Sequence, residues 1–236
     1  MKNLYIHHHL GLGDHFDCNG MVRYILKNTD FDRVSVFAKS NYHSMIEYMY
    51  RDDNNIDIIK VDKNNEMQDV NNYLVDNNCE FFLRVGHENY PWVQASLNNN
   101  KNCWEYFYDQ VRIPYNIRYD MFHVDRDLLE EQRVFEKLNP ENEPFIFMHD
   151  DPSRGYKMNR DHFINPDLKI IENDVTENIF HFIKILEEAE EIHCMESSFK
   201  TLVDFYCKQD SVFFHDFRNH PLGNYSRAKW KIVEYK

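Results

Sequence analysis

The stretch NLYIHHHLGLGDHF, residues 3–16, decides the fold because it joins a strand pattern to a helix pattern through two glycines. Its first seven residues have the apolar character of a buried strand. From about Asp14 to Lys27 the apolar residues recur at helical spacing. Gly11 and Gly13 permit a tight turn, after which the unpaired N–H groups of a new helix are exposed. The order predicts the first α/β unit of a larger fold, with Asp14 as the helix N-cap.

The same alternation continues to residue 85. Further strands are predicted at 33–39, 56–61 and 80–85, and further helices at 43–50 and 67–75. Strands that alternate with helices in this way favour a parallel sheet with helices on both faces.

A second alternation follows a mainly helical region. Residues 98–138 are helical in pattern, with a helix at 126–138 that Asp125 is expected to cap, and NPENEP at 139–144 is the candidate linker. Beyond the linker, strands are predicted at 144–150, 168–173, 191–196 and 211–216, and helices at 178–189 and 198–207. The chain therefore contains two successive α/β units.

We predict an α/β protein of two Rossmann-like lobes, residues 1–140 and 141–236, that face each other across a cleft. Open parallel sheets bind ligands at the carboxyl ends of their strands. The site is therefore expected to combine residues that follow His9, Met148 and Met195.

Composition limits the partners of the chain. Its net charge of −13 argues against nucleic acid, because binding to a phosphate backbone depends on many Lys and Arg residues. A single phosphorylated small molecule needs only a local cluster of cations and helix N-termini. No apolar run reaches the roughly 20 residues of a membrane span, and a signal peptide is not evident. With five cysteines and no CxxC pair, we expect a cytoplasmic protein without a transmembrane segment.

Three histidines and an aspartate raise the alternative of a metal site. His7 and His9 lie on one face of a strand, and with Asp14 and His15 they resemble the HxHxDH run of metallo-β-lactamase-like hydrolases. In that family the aspartate follows the second histidine by two residues, whereas Asp14 follows His9 by five. A metal-dependent hydrolase that uses these four residues is therefore kept as an alternative function.

Two segments of the second lobe offer groups that bind phosphate. HDDPSRGYK follows a strand and holds Arg154 and Lys157, and a guanidinium group forms bidentate bonds with phosphate oxygens. Ser197 and Ser198 stand at a helix start, where hydroxyl and backbone N–H groups bind anions. The N-terminal glycine turn itself is not a GxGxxG fingerprint, because Phe16 stands at the third glycine position, and it lacks the GK[ST] of a Walker A loop.

Together these motifs resemble the GT-B glycosyltransferases of glycosyltransferase family 9, which includes the bacterial heptosyltransferases. In that family a Gly-Asp turn near the N-terminus supplies the general base, and Gly13 and Asp14 match it here. A Lys or Arg of the second lobe holds the donor phosphate, a place that Arg154 or Lys157 takes in this chain.

A third motif of that family, D-[ST]-G-x-x-H, binds the phosphate and sugar of the donor. Glu196, Ser197 and Ser198 stand at its first three positions, with Glu in place of Asp and Ser in place of Gly. Thr201 stands where the family often has His. The resemblance covers the architecture of most of the chain, whereas the matching motifs involve about 20 residues.

The resemblance implies a glycosyltransferase that moves a sugar from a nucleotide-diphosphate donor to a hydroxyl acceptor, without a metal or another cofactor. Asp14 would take the acceptor's proton as general base. The residues expected to bind the donor are Gly13, Arg154, Lys157, Glu196, Ser197 and Ser198. The histidines expected to line the cleft are His7, His9, His15 and His149. A non-catalytic module that binds nucleotide sugars is a further alternative.

Overall fold

A computed structural model describes residues 2–86, 101–218 and 226–235. The chain divides into two compact units, Met1–Asp125 and Arg126–Lys236. Each unit has its own parallel β-sheet, so the predicted α/β fold with two Rossmann-like sheets is confirmed. The division falls before the helix that precedes the predicted linker, and a functional boundary between residues 140 and 141 stays a prediction.

Within residues 2–86 and 101–125, four parallel strands form a sheet in the order β3-β2-β1-β4. They are β1 (Asn3–His7), β2 (Arg33–Lys39), β3 (Ile56–Val61) and β4 (Phe81–Arg84). The helices between them are α1 (Leu12–Asn28), α2 (His43–Tyr50) and α3 (Glu66–Asp76). β1 lies inside the sheet because buried Ile6 pairs with Val36 on one side and Leu83 on the other. It ends at His7 rather than at the predicted residue 9, since its pairing with β4 ends there.

Helix α1 begins at Leu12, earlier than predicted, and its N-cap residue is Gly11 rather than Asp14. The first helical hydrogen bond runs from His15 N–H to the Gly11 carbonyl at 3.2 Å, so Gly13 lies inside the first turn. Asp14 therefore belongs to the first turn of the helix, where the helix dipole favours a negative charge.

The middle of α1 is buried because two further helices pack around it, α4 (Cys103–Gln110) and α5 (Ile117–Asp120). Gly20 allows α5 to approach closely, since a β-carbon there would overlap the backbone oxygen of Ile117. Nearby, Arg118 Nε donates to Asp17 Oδ1 at 2.5 Å, and both side chains are almost completely buried. The first residues of the predicted helical region, 98–100, lie outside the described residues.

In the described part of the second unit, five parallel strands form a sheet in the order β6-β5-β7-β8-β9. They are β5 (Phe145–His149), β6 (Lys169–Glu172), β7 (Glu191–Met195), β8 (Val212–Asp216) and β9 (Lys231–Glu234). The α-helices of this unit are α6 (Leu128–Leu138), α7 (Ile183–Glu188) and α8 (Ser198–Tyr206). Single 3₁₀ turns occupy Pro152–Arg154, Arg160–His162 and Ile179–Phe182. Asp127 caps α6 by accepting the Glu130 N–H at 3.1 Å, so the prediction of Asp125 as the cap is wrong.

The two faces of the second sheet are covered differently within the described residues. Phe147 packs against the rings of Phe182 and Phe199, at the ends of the helical elements that cover one face. The opposite face is covered by the β5–β6 loop, residues 150–168, whose Met158 and Phe163 join a buried apolar cluster on the sheet. The loop that was expected to bind phosphate is therefore also part of the core.

Two further findings concern the chain as a whole. In the ranges that the structure describes, no helix is both long enough and apolar enough to cross a bilayer. All five cysteines carry free thiols, and three of them, Cys18, Cys194 and Cys207, are buried. Burial raises the pKa of each of these three thiols.

Candidate functional site

The carboxyl ends of β1 and β2 and the loop after β3 surround a pocket of about 750 Å³ in the first unit. This is the edge at which open parallel sheets bind ligands. Its charged and imidazole-bearing lining residues are His9, Asp14, Lys39, Lys63 and Glu66. The pocket therefore brings two predicted site residues, His9 and Asp14, together with two lysines and a second carboxylate.

Asp14 presents its carboxylate to this pocket from the first turn of α1. The indole Nε1–H of Trp104, from α4, donates to Asp14 Oδ1 at 2.8 Å. The other oxygen, Oδ2, lies over Gly11, where a β-carbon would be only 2.6 Å away. A hydrogen bond on one oxygen and a missing side chain beneath the other thus define the orientation of a partly exposed carboxylate.

His9 lines the pocket beside Asp14. Its Nε2–H donates to the Gly86 carbonyl at 3.0 Å, and its ring packs on that of Phe107 with the centroids 5.0 Å apart. The imidazole is therefore fixed between two neighbouring segments of the first unit.

Glu66, the first residue of α3, links two strands of the sheet beneath the pocket. It pairs with His7 Nε2 at 3.0 Å and with Lys39 Nζ at 2.8 Å. Burial by itself would raise the pKa of Glu66, but the hydrogen bonds with His7 and Lys39 outweigh burial and lower that pKa to about 2. For His7, burial lowers the pKa of the imidazole, and the hydrogen bond with Glu66 only partly opposes this shift. A lasting negative charge on Glu66 therefore holds Lys39 at the pocket.

His7 and His15 are fully buried and do not form part of the pocket surface. His15 packs edge-on against the ring of His8, with the centroids 4.5 Å apart. Burial lowers the pKa of His15 well below its ordinary value, so its ring is neutral at physiological pH. Two of the four histidines predicted to line a cleft thus lie in the core of the first unit instead.

The geometry does not favour the metal-dependent hydrolase. Within the described ranges, no group of three or more His, Cys, Asp or Glu side chains is arranged to hold a metal ion. The turn between His9 and Asp14 belongs partly to α1, and His15 points into the core rather than toward Asp14's pocket. The stretch quoted at the outset therefore contributes one carboxylate and one imidazole to a pocket, not a ligand set.

In the second unit, the predicted phosphate-binding cations lie on the β5–β6 loop, where Arg154 and Lys157 are both exposed. Arg154 ends a 3₁₀ turn and donates from Nε to Asp151 Oδ2 at 2.5 Å. The loop follows β5 directly, so both cations lie near the carboxyl end of that strand. A diphosphate bound to Arg154 would have to share it with Asp151.

The third predicted motif lies at the carboxyl end of β7. Ser197 is the N-cap of α8, with its hydroxyl accepting the Lys200 N–H at 3.4 Å, and Ser198 is the first helical residue. Glu196 is partly exposed, and its Oε1 lies 3.8 Å from Nζ of Lys200. Lys200 is only 4% exposed, so the helix start combines N–H groups with a buried ammonium group that the sequence analysis did not single out.

His149, the last residue of β5, immediately precedes the loop that carries Arg154 and Lys157. Its Nδ1 is hydrogen-bonded to Asn173 Oδ1 at 2.6 Å, and its ring packs against Phe199 with the centroids 4.8 Å apart. Burial lowers the pKa of His149, although the bond to Asn173 opposes the shift. The carboxyl ends of β5 and β7 therefore carry the predicted donor-side residues on adjacent, paired strands.

No protein-family model matches the chain, and neither does any curated protein. Solved structures do match it over nearly its full length. A glycosyl transferase of family 9 from Veillonella parvula superposes with a TM-score of 0.59 at 11% identity, covering 99% of this chain and 86% of that one. The E. coli ADP-heptose lipopolysaccharide heptosyltransferase II gives 0.59 at 9% identity, covering 99% and 90%. An E. coli heptosyltransferase solved with ADP gives 0.55 at 10% identity, covering 100% and 94%.

The chain has the GT-B fold. At such low identity the likeness concerns the fold alone, and the roles of individual residues rest on the geometry of this chain. Asp14, Arg154 and Ser197, three of the predicted site residues, each lie in the segment that follows a strand, and their roles stay predictions.

Four residues of the two regions were missed: Lys39, Glu66, Trp104 and Lys200. Trp104 reaches Asp14 from 90 positions away, and Glu66 pairs with His7 from 59 positions away. Lys39 gives one usable signal, because it ends a buried strand at the edge where GT-B and other open sheets bind ligands. Lys200 also gives a signal, because it stands three residues after Ser197 in the first turn of α8. A cation is unfavourable at a helix N-terminus unless an anion is nearby.

Proposed function

We propose that the chain is a metal-independent glycosyltransferase that moves a sugar from a nucleotide-diphosphate donor to a hydroxyl acceptor. The GT-B fold supports the class of reaction. The observation that carries the proposal is the oriented carboxylate of Asp14, which faces a pocket of about 750 Å³ while Trp104 holds one of its oxygens. A general base needs such a carboxylate within hydrogen-bond reach of the substrate.

Asp14 acts on the acceptor. As the acceptor oxygen forms a bond to the anomeric carbon of the donor sugar, the proton of that hydroxyl passes to the carboxylate of Asp14, which faces the pocket. The bond between the anomeric carbon and the diphosphate oxygen breaks, and the diphosphate leaves with the electron pair. The proton then passes from Asp14 to solvent, since the carboxylate is partly exposed.

The pocket in the first unit binds the acceptor in this scheme. Lys39 and Glu66 form a fixed pair at its wall, and both are suited to hydrogen-bond the hydroxyl groups of a sugar. Their charges balance each other, so the pair recognises donors and acceptors of hydrogen bonds rather than a net charge.

The second unit binds the donor diphosphate. Arg154 and Lys157 supply positive charge, and the start of α8 at Ser197 and Ser198 supplies N–H groups and hydroxyls. Negative charge develops on the leaving diphosphate, and groups already aimed at it stabilise the transition state. We place Glu196 beside the donor sugar, by analogy with the motif that it matches.

A ligand screen tests the proposal. Thermal unfolding is measured with UDP-, GDP-, ADP-, CMP- and dTDP-linked sugars and with the free nucleotides. A true donor at about 100 times its dissociation constant adds roughly 2.7 kcal/mol of stability. We expect one nucleotide class to stabilise the chain and its sugar to be released or transferred in a product assay. Stabilisation without turnover indicates a binding module, and no stabilisation by any member contradicts the proposal.

A further inference from the structure

A continuous chain of buried side-chain hydrogen bonds crosses the second sheet beneath the β5–β6 loop. His193 Nε2 lies 3.2 Å from Glu191 Oε2, and His193 Nδ1 lies 2.9 Å from His215 Nε2. His215 Nδ1 then lies 2.6 Å from the hydroxyl of Tyr235, which follows β9. Glu191, His193 and His215 are each at most 1% exposed.

The two end members of this hydrogen-bonded series, Glu191 and Tyr235, both bind the backbone of the β5–β6 loop. Glu191 accepts the backbone N–H groups of Ile164 and Asn165 at 2.9 and 2.8 Å. At the other end, the Tyr235 hydroxyl accepts the backbone N–H of Asn159 at 3.2 Å. The loop is thus tied to the sheet at two places through side chains that are tied to each other.

The donor and acceptor of each hydrogen bond in the series can be assigned by starting from Glu191. Burial would raise the pKa of Glu191, but the bonds that it accepts outweigh burial and lower the pKa, so Glu191 is ionised and only accepts. His193 must then donate from Nε2 and accept at Nδ1. His215 must donate from Nε2 and accept at Nδ1, and the Tyr235 hydroxyl must donate to it. The complete pattern requires both imidazoles to be neutral.

An added proton disrupts this pattern. On His193 Nδ1 it would face the N–H of His215 at 2.9 Å, and on His215 Nδ1 it would face the hydroxyl proton of Tyr235. Burial lowers the pKa of His193, and it lowers the pKa of His215 to about 3. The loop itself provides part of that burial, because Phe163 packs on His193 with the ring centroids 4.1 Å apart.

The rings of His193 and His215 are surrounded by titratable and charged groups from the β5–β6 loop, from β7 and from β9. From the loop, the ring of His162 lies 6.1 Å from that of His215. Lys231 of β9 reaches Phe213, the ring stacked on His193, at 5.0 Å. Among the described residues, Glu191 of β7 and Tyr235 after β9 are hydrogen-bonded to the rings, and Asp150 of the loop acts electrostatically on Tyr235. β5 and β6 contribute the apolar side chains of Ile146, Met148 and Ile170 to this face. Glu172 of β6, paired with Met148, lies on the same face and is exposed.

We propose that the hydrogen-bonded side chains of Glu191, His193, His215 and Tyr235 form a latch that positions the β5–β6 loop, which carries Arg154 and Lys157. Protonation of the two histidines releases the loop. When the loop lifts, water reaches the rings of His193 and His215, and the pKa of each ring rises toward the ordinary histidine value. By linkage, protons therefore favour the lifted state as pH falls below about 6.5, the ordinary histidine value. Glu191 and Tyr235 are positioning residues in this scheme. The part that concerns Arg154 and Lys157 rests on the proposed function.

Hydrogen–deuterium exchange of the full chain, without donor, tests the latch. The readout is the protection of the amides of residues 158–165, corrected at each pH for the rate of an unstructured peptide. In the wild type we expect protection to fall about tenfold or more between pH 7.5 and pH 5.0. Tyr235→Phe removes the acceptor of the Asn159 N–H and should raise exchange there roughly three- to tenfold at pH 7.5. His215→Gln should weaken the dependence on pH.

Matched variants in the first unit serve as controls. Tyr24→Phe and His123→Gln should leave the exchange of residues 158–165 unchanged. If Tyr235→Phe also exposes β5 and β7 amides, Glu191→Gln replaces it, with faster exchange expected at Ile164 and Asn165. Protection that does not depend on pH in the wild type, or exchange within twofold of wild type in the tested variant, overturns the latch.

A second arm separates the latch from the proposed function. Binding of ADP, used as a diphosphate probe, is measured for the wild type and for Tyr235→Phe at pH 7.5. We expect weaker binding in the variant with unchanged protection of the first sheet. If ADP and the other nucleoside diphosphates bind neither protein, the proposed function fails while the exchange result still decides the latch. Equal affinities, combined with a faster-exchanging loop, contradict the link between the latch and the two cations.

Discussion

The close clearance between Gly11 and Asp14 makes Gly11→Ala a sharp test of how the carboxylate is held. Gly11 has φ −72° and ψ 150°, values that any residue adopts, so alanine introduces no backbone strain. Its β-carbon would lie 2.6 Å from Asp14 Oδ2 and 3.6 Å from Cγ. To restore the 3.4 Å at which ordinary contacts begin, the oxygen must move by about 0.8 Å.

Such a move affects catalysis more than stability. The carboxylate turns away from Trp104 Nε1, which now lies 2.8 Å from Oδ1. A misplacement of about 1 Å in a reacting group costs up to roughly 10²-fold in rate, so we expect turnover to fall by about 10- to 100-fold. The partly exposed side chain of Asp14 can rotate toward solvent, and we expect a loss of stability of about 1 kcal/mol or less.

The assay measures initial rates of nucleoside diphosphate release, with the donor from the ligand screen, beside the unfolding temperature. A double-mutant cycle with Trp104→Phe is the control, because both changes act on the same carboxylate. We expect Gly11→Ala to have a smaller effect in the Trp104→Phe background than in the wild type. Turnover of Gly11→Ala within twofold of wild type, or fully additive effects in the cycle, would refute this reasoning.

Three further changes probe the rest of the structure. Glu66→Gln should cost about 1 to 2 kcal/mol of unfolding free energy at pH 7 after allowance for solvent screening. Because the folded pKa of Glu66 is lowered to about 2, the advantage of the wild type should shrink as pH falls below about 4.5, as followed by urea denaturation. Gly20→Ala should destabilise the first unit by about 1 to 3 kcal/mol despite its better helix propensity, because its β-carbon overlaps the Ile117 backbone, and a rise in unfolding temperature would contradict this. Arg154→Ala should weaken nucleoside diphosphate binding by about 1.5 to 3 kcal/mol in calorimetry, whereas Arg160→Ala, an exposed arginine of the same loop, should not; equal effects would remove the phosphate grip from Arg154.

Local pattern predicted most of the elements because buried parallel strands are short apolar runs. β2 and β3 have the predicted bounds, and α2 does as well. The errors lie where local pattern is weak. β9 was not predicted because KIVE is short and has only one buried residue, Val233. Its strand conformation depends on the pairing with β8, which local sequence does not reveal.

The start of α1 was misplaced for a related reason. Asp14 is a favoured N-cap residue, which argued for a helix that begins after the glycines. The structure instead includes Leu12 and Gly13 in the helix and places Asp14 in its first turn. A cap preference of about 1 kcal/mol is small enough for the surrounding packing to override it.

The candidate site was predictable only where a polar residue lies in the turn or first helical turn after a strand. Asp14 and Ser197 were singled out in this way, and both lie there in the structure, whereas their roles stay predictions. Trp104 and Glu66 were not, since each acts through contacts between distant segments, and a single sequence does not reveal which segments meet. The burial of His7 and His15 was equally hidden, because neither the run of histidines at 7–9 nor the later His15 indicates which rings enter the core.

Turnover of Asp14→Asn tests the general-base role of Asp14 most directly. Asparagine keeps the size of the side chain and can still accept the Trp104 N–H, but it cannot take a proton from the acceptor. With the donor identified by the screen, we predict a fall in turnover of roughly 10²- to 10⁴-fold, together with donor affinity within about twofold of wild type. Turnover within about threefold of wild type would contradict the role of Asp14 and place the chemistry elsewhere.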